Sequence, residues 1–451
     1  MPLKPCHGLL VSLSIAVWLC SFPTAHAEIS PTELDRLGKD LTPTGAQMAG
    51  NADGSIPAWN GGITKPPAGF DPNKGYANPF ASEKPLYTIT AQNVAQYEQF
   101  LAPGQIEMLK RYPTYKMKVY PTHRTMALTP QEYDDVKAEA PTIQAAPNGL
   151  GIRNLKKSTV PFPVPKTGLE VVLNHEYRNI GSSFQREFVI FPVQSSGSFT
   201  PIKWFESRTY GKVLPDNPPS IVVYYLQRTL SPSNVAGEAV LLHEVFDNTS
   251  ETRKTWTYNP GQRRVLRAPD VGYDTPQFNS DGMATVDSFE MFNGVPDRFD
   301  FKLVGKKEMI ISYNNYDMTN KTLKYTDIVK QNHLDQELPR YEKHRVWVVE
   351  ATVKTGMRHV YAKRMLYIDE DTWQIAHGDL YDARDSLWRV QENHSINLYD
   401  VAIISTAGQV DYDLQARRAF VMFLANEEKP VRYDVRPRSY YSQENLRRTS
   451  N

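Results

Sequence analysis

Short runs rich in Val, Ile, Tyr, Phe and Thr, separated by turn residues, dominate the chain from residue 168 onward, and such runs predict β-strands. They cover 170–179, 184–193, 199–210, 220–229, 238–246, 253–258 and 263–267, then 308–316, 340–353, 360–368, 374–381 and 387–398. Spacing this short and even, without long helices between, predicts an antiparallel sheet, curved or barrel-like. There is no β-α-β alternation and no internal repeat. Two runs, Val346-Trp347-Val348-Val349 and Val222-Val223-Tyr224-Tyr225-Leu226, are apolar at successive positions. A strand wet on one face alternates, so these two must be covered on both. N-terminal helices are one expected cover; a Pro-rich wrap, a partner or a ligand is the other.

The region before residue 169 has a different texture. Residues 28–169 hold 17 of the 33 prolines, with turn pairs such as Asp53-Gly54 and Pro66-Pro67. Proline removes a backbone donor, so this part is expected to wrap in extended form with short helices inserted. Ser30-Pro31-Thr32-Glu33 is a capping box that predicts a helix ending near Gly38. Thr129-Pro130-Gln131-Glu132 predicts a second, running to about Ala140. Helical spacing over 90–112 predicts two more, divided at Ala102-Pro103-Gly104.

Ahead of all this, Lys4 precedes an uncharged apolar stretch from Gly8 to Phe22 that closes in Pro23 and Ala25-His26-Ala27. That is the form of a secretory signal peptide cut after Ala27, and the stretch is short for a membrane span. Leu19, before Cys20, is too bulky for a lipoprotein signal. Both cysteines, Cys6 and Cys20, fall in the removed part, so the exported chain is expected to carry no disulfide and no thiol chemistry. With Lys4 gone the basic and acidic side chains balance, which speaks against a polyanion partner. The expected division is 1–27 signal peptide, 28–168 wrapping region, 169–428 β domain and 429–451 polar tail or surface strap.

Catalytic signatures are missing from the sequence: no G-x-S-x-G, P-loop, G-x-G-x-x-G after a strand, or H-E-x-x-H. No catalytic residue, cofactor or metal is assigned. Asp369-Glu370-Asp371, with Asp379, Asp382 and Asp385 following, could gather oxygens around a calcium ion, but no Gly-anchored loop accompanies it. The positive signal is aromatic: Trp204, Trp256, Trp347, Trp373 and Trp388 all fall on or beside expected strands. Together with doubly apolar strands they fit an open-sided apolar cavity. Arg263, Arg264 and Arg267, next to Trp256 and Tyr258, form a candidate cationic rim for an amphiphile with an anionic head.

Four blocks carry a resemblance: residues 255–269, TWTYNPGQRRVLRAP; 288–299, SFEMFNGVPDRF; 344–350, HRVWVVE; and 361–373, YAKRMLYIDEDTW, with Leu387-Trp388-Arg389 beyond. They resemble a bacterial family of unknown function, labelled outer-membrane lipoprotein-sorting-like, over nearly all of the exported chain. The resemblance implies a periplasmic protein of the Gram-negative envelope. It also implies an α+β, mainly β fold similar to the Lol-type lipoprotein carriers: a strongly curved antiparallel half-barrel closed by helices around an apolar cavity. Membrane exporters of the resistance-nodulation-division class and outer-membrane proteins are the partners it implies. It brings no catalytic residues, and the N-terminal wrap is far longer than in a minimal carrier of that type.

The aromatic residues of these blocks, Trp256, Tyr258, Phe289, Phe292, Trp347, Tyr367, Trp373 and Trp388, are the candidate cavity residues. The expected function is a periplasmic binding or carrier protein for a hydrophobic or amphiphilic, lipid-like molecule, not an enzyme. An exported hydrolase of an ester or glycan, or an envelope scaffold, are the alternatives.

Overall fold

The computed structural model describes residues 1, 29–268 and 273–450; residues 2–28, with the expected signal sequence, its expected cleavage site and both cysteines, lie outside the described residues. The chain opens with α1 (Pro31–Leu34), β1 (Tyr87–Ile89), α2 (Pro103–Arg111), β2 (Met117–Val119), α3 (Pro130–Glu139), the small pair β3 (Gln144–Ala145) and β4 (Ile152–Arg153), and α4 (Gly168–Tyr177). Both capping boxes form, but α1 stops at Leu34, a turn short of Gly38. Of the two helices expected over 90–112, the second is α2, while the first is reduced to the 3-10 turns Val94–Gln96 and Glu98–Phe100.

Six strands follow: β5 (Ser183–Val193), β6 (Ile202–Tyr210), β7 (Ile221–Ser231), β8 (Ala239–Val245), β9 (Lys254–Asn259) and β10 (Arg264–Arg267). Next come β11 (Phe299–Ser312), α5 (Tyr325–Ile328), β12 (Tyr341–Val353), β13 (Lys363–Asp369), β14 (Ile375–Tyr381), β15 (Leu387–Leu398), β16 (Ile403–Asp413), β17 (Arg418–Leu424) and α6 (Gln443–Ser450). The fold is mainly β. Fifteen strands make one sheet in the order β1-β2-β12-β13-β14-β15-β16-β17-β5-β6-β7-β8-β9-β10, with β11 also on β12. All neighbours are antiparallel except β2 and β12, and the sheet does not close into a barrel. The β17–β5 pairing joins the strands after residue 298 to those before 268.

Residues 170–179 form a helix, not the expected strand. The Thr167 hydroxyl accepts from the Glu170 N–H, and the Glu170 carboxylate accepts from the Thr167 N–H, a reciprocal cap at the start of α4. That cap decides the conformation, and Val171 and Val172 then bury against β12 and its neighbours rather than joining a ladder. Strand β11 begins nine residues before its expected start, at Phe299. Its first half alternates charged and apolar residues because one face is wet, which hides it from a search for apolar runs. Strands β16 and β17 were not anticipated; Ser405, Thr406 and Gly408 dilute the first of them.

The doubly apolar runs are covered on both faces. Val346 and Val348 pack with Met309, Ile311 and Tyr367, while Val349 and Ala351 turn the other way to Val171, Val172 and Ile368. Over β15, β16, β17 and β5, side chains from α2, β1, β2 and residues 316–334 pack on one face of the sheet as a single buried apolar cluster. At the far end, the residues after 429 cross β5, where Arg432 and Gln185 exchange backbone hydrogen bonds, and finish as α6 packed on β8, β9 and β10.

Candidate functional site

Strands β6 to β9 are treated differently on their two faces. Tyr224 and Leu226 of β7, Leu241 of β8 and Tyr258 of β9 pack beneath Tyr441 and Leu446 of the C-terminal segment. The alternate residues face a cavity of about 210 Å³. Cross-strand register sets its wall in rows: Arg208, Tyr225, Leu242 and Thr255 form one, and Tyr210, Val223 and Glu244 the next. Trp204 marks one end of the β6 wall and Tyr210 the other, and six residues of strand span about 20 Å. The end of α4 adds Glu176, Tyr177 and Arg178.

The opposite wall is a strap running from Gln277 to Pro296 that contributes Phe278, Phe289, Glu290 and Phe292. Every element the strap crosses holds it through a buried polar contact. Asp287 takes a hydrogen bond from Arg364 of β13 at 2.6 Å. Gln409 of β16 donates to the Ser288 carbonyl at 2.7 Å and accepts from the Met291 N–H at 3.1 Å. Glu290 pairs with Arg178 at 3.1 Å and Arg208 at 3.3 Å. Glu290 and Met291 both hold left-handed backbone, φ 55° and 76°, a conformation that side chains other than glycine adopt only when surroundings dictate it.

Burial and charge compete in this wall. Burial pushes the Glu290 carboxyl up, but Arg208, Arg178 and Arg186 overrule it and hold it down to about 2. At Glu176 burial wins: it and the nearby Glu244 push the carboxyl well above the usual range against a Gly294 backbone hydrogen bond, Arg253 and Arg178, and its Oε1 has no hydrogen-bond partner among the described residues. Burial likewise raises Tyr210 and Tyr225, so both phenols stay protonated. The Trp204 indole N–H is also buried without a partner. Arg253 is paired with Glu244 and lies over the Tyr273 ring at 5.3 Å.

Of the candidate cavity residues, Phe289 and Phe292 line this cavity. Trp256 and Tyr258 point to the opposite face of β9, with Trp256 against His243 at 5.0 Å. Trp347 and Trp373 stack at 6.1 Å beneath α4, and Trp373 donates to the Thr44 carbonyl. Tyr367 packs with Met309 and Ile311. Trp388 donates to Asp413 and lies edge-on to Tyr361. Arg263, Arg264 and Arg267 are exposed on the β9–β10 hairpin, and Arg263 borders a separate surface groove beside Arg447. The cations at the cavity are instead Arg178, Arg208 and Arg253, which sequence reasoning missed. Parity was the available signal: on β9, residues 255 and 257 cannot share a face with 256 and 258.

The acidic groupings are engaged in ion pairs. His344, Asp369 and Asp371 lie close enough that one atom of each falls within 4.8 Å of the others. Asp371, however, accepts from Arg124 at 2.7 and 2.8 Å, and His344 bonds Glu342 at 3.1 Å. Asp379 accepts from the Gly104 N–H and contacts His377, Asp382 pairs with Arg384, and Asp385 with Lys363.

Fold and site together define a mainly β, open-sheet protein with one face of the sheet filled and part of it hollow. The chain belongs to the DUF1329 family of proteins of unknown function, whose profile matches residues 88–447. An uncharacterised protein of Pseudomonas aeruginosa is 47% identical over 413 residues, covering 90% of each chain. A crystal structure of a DUF1329 family protein from Desulfovibrio piger aligns with a TM-score of 0.44 at 15% identity, covering 62% of this chain and 97% of that one. A putative outer membrane lipoprotein-sorting protein domain from Vibrio parahaemolyticus gives 0.43 at 12% identity, covering 62% and 97%. A LolA superfamily protein from Nitrosomonas europaea gives 0.39 at 10% identity, covering 62% and 100%. No helix among the described residues is long and apolar enough to cross a membrane.

Proposed function

We propose that this chain is a periplasmic binding or carrier protein for a hydrophobic or amphiphilic, lipid-like molecule, serving an envelope export system. The observation that carries this is the contrast across one sheet. Over β15 to β17 the covering elements fill the space, whereas over β6 to β9 the wall of Val223, Val240, Leu242, Phe278, Phe289 and Phe292 encloses a void. A stable fold of this size has no packing reason to leave apolar walls apart, because closing them would bury more surface at about 25 cal/mol per Å². A guest that shields its chain from water there gains the same energy. Export through the signal sequence fits a cargo moving across the envelope.

The test is binding. Protein purified from its native host without detergent should release an extractable lipid, and delipidated protein should take up an apolar fluorescent probe with saturation. Leu242→Trp fills the void from β8 and should abolish uptake while leaving the melting temperature within a few degrees. No extractable lipid together with uptake unchanged by Leu242→Trp would defeat the proposal.

A further inference from the structure

Two guanidiniums at the cavity share one carboxylate, and their arrangement specifies a head group. Arg178, Arg186 and Arg208 gather around Glu206 and Glu290, while Arg253 pairs with Glu244 and Glu176 lines the same cavity. Arg186 and Glu206, cross-strand partners, pair with each other at 3.1 Å, and Glu206 lies 4.0 Å from Arg208. Glu290 is shared between the two arginines that line the cavity, Arg178 and Arg208, with Arg186 at 3.9 Å. Arg178 spends its other donors on Gln374 and the His175 carbonyl, so it is held in place from behind. Arg208 is sandwiched at 5.4 Å from the Tyr225 ring and 5.5 Å from Phe184, which fixes the plane of its guanidinium. Arg208 is 6% exposed and Arg178 4%, so water offers little screening of their charge.

We infer that the Arg178–Arg208 pair, sharing Glu290, binds the single negative charge of a long-chain carboxylate whose tail lies along the Leu242, Phe289 and Phe292 wall. The inference rests on the carrier function proposed above and names its ligand class. A planar carboxylate suits a guanidinium through paired N–H···O bonds. The Trp204 indole N–H, buried without a hydrogen-bond partner among the described residues, leaves a further donor on the same wall. A cationic head would be repelled by the two guanidiniums, and an uncharged one would gain less from them than a carboxylate.

The experiment compares one chain under three heads. Dodecanoate, dodecanol and dodecyltrimethylammonium are titrated below their micelle concentrations into delipidated protein by calorimetry. Dodecanoate should bind at least about tenfold more tightly than dodecanol, and the cationic amphiphile most weakly. In Arg208→Gln the dodecanoate affinity should fall to that of dodecanol, with dodecanol itself unchanged; Arg178→Gln gives a second reading should the first variant fold poorly. Equal affinity for all three heads, or a preference for the cation, would overturn the head-group site and leave the carrier function standing. Binding of none of the three would overturn the carrier function itself.

Discussion

At the scale of single residues, the interior of this protein is unusually polar, and one group makes that measurable. Asp411 of β16 accepts hydrogen bonds from Gln391 at 3.1 Å and Gln409 at 3.2 Å, while its Oδ2 is buried with no partner. Burial pushes its carboxyl up to about 6, against the hydrogen bonds of Gln409 and Gln391. The folded chain therefore holds this proton more tightly than the unfolded chain, whose aspartate titrates at its ordinary value. Stability from this group is full below about pH 4, falls as the pH rises to about 6, and is flat above. Two pH units of difference correspond to at most about 3 kcal/mol. Asp411→Asn keeps an oxygen for both glutamines and has no charge to bury. It should be more stable than the parent at pH 8, with the advantage shrinking below pH 6 and vanishing near pH 4, as read by urea denaturation. An equal effect at every pH would show that Asp411 is ionised in the folded state without cost. Nothing in the sequence could have singled out this residue. Asp411 sits in a stretch too dilute in apolar residues to read as a strand, and its burial comes from the sheet built around it.

At the scale of elements, most strands were legible because period-two patterns and turn residues are local signals. Residues 170–179 show where such signals conflict. Val171 and Val172 favour a strand by β-propensity, yet the capping box around Thr167 and Glu170 is the more directional cue. Glu176 and Arg178 reach the cavity from the C-terminal end of α4, so misreading the helix also lost the site residues. Thr167→Ala removes the hydroxyl that accepts from the Glu170 N–H and should cost about 1 kcal/mol. Because Arg178 lies at the end of the same helix, dodecanoate binding should weaken with it. Thr167→Ser should restore both, in denaturation and in titration. A stability loss without any change in binding would mean that α4 is held by its buried face alone.

For the whole molecule, the same sheet serves two purposes. The β11–β17 half is filled by the long N-terminal region, and β17 passes the ladder to β5 through a register shift between Val421 and Leu424. The cavity half, β6 to β10, has its opposite face covered by α6 and Tyr441, which arrive from the end of the chain. The aromatic residues that sequence reasoning assigned to a cavity are largely the packing that keeps this division rigid, because aromatic content alone does not tell a wall from a core. Leu446 of α6 is fully buried against β8, β9 and β10, so Leu446→Ala should destabilise by about 2–4 kcal/mol. That cover contacts only the cavity half, so its loss should act locally. In hydrogen exchange, the amides of β7 to β9 should lose protection first, while β12 to β15 keep theirs. The hollow half would then be the less stable of two cooperative units, able to admit a guest by loosening without unfolding the filled half. Uniform loss of protection across all fifteen strands would instead show one unit, and cargo entry would have to come from motion of the strap over Phe289 and Phe292.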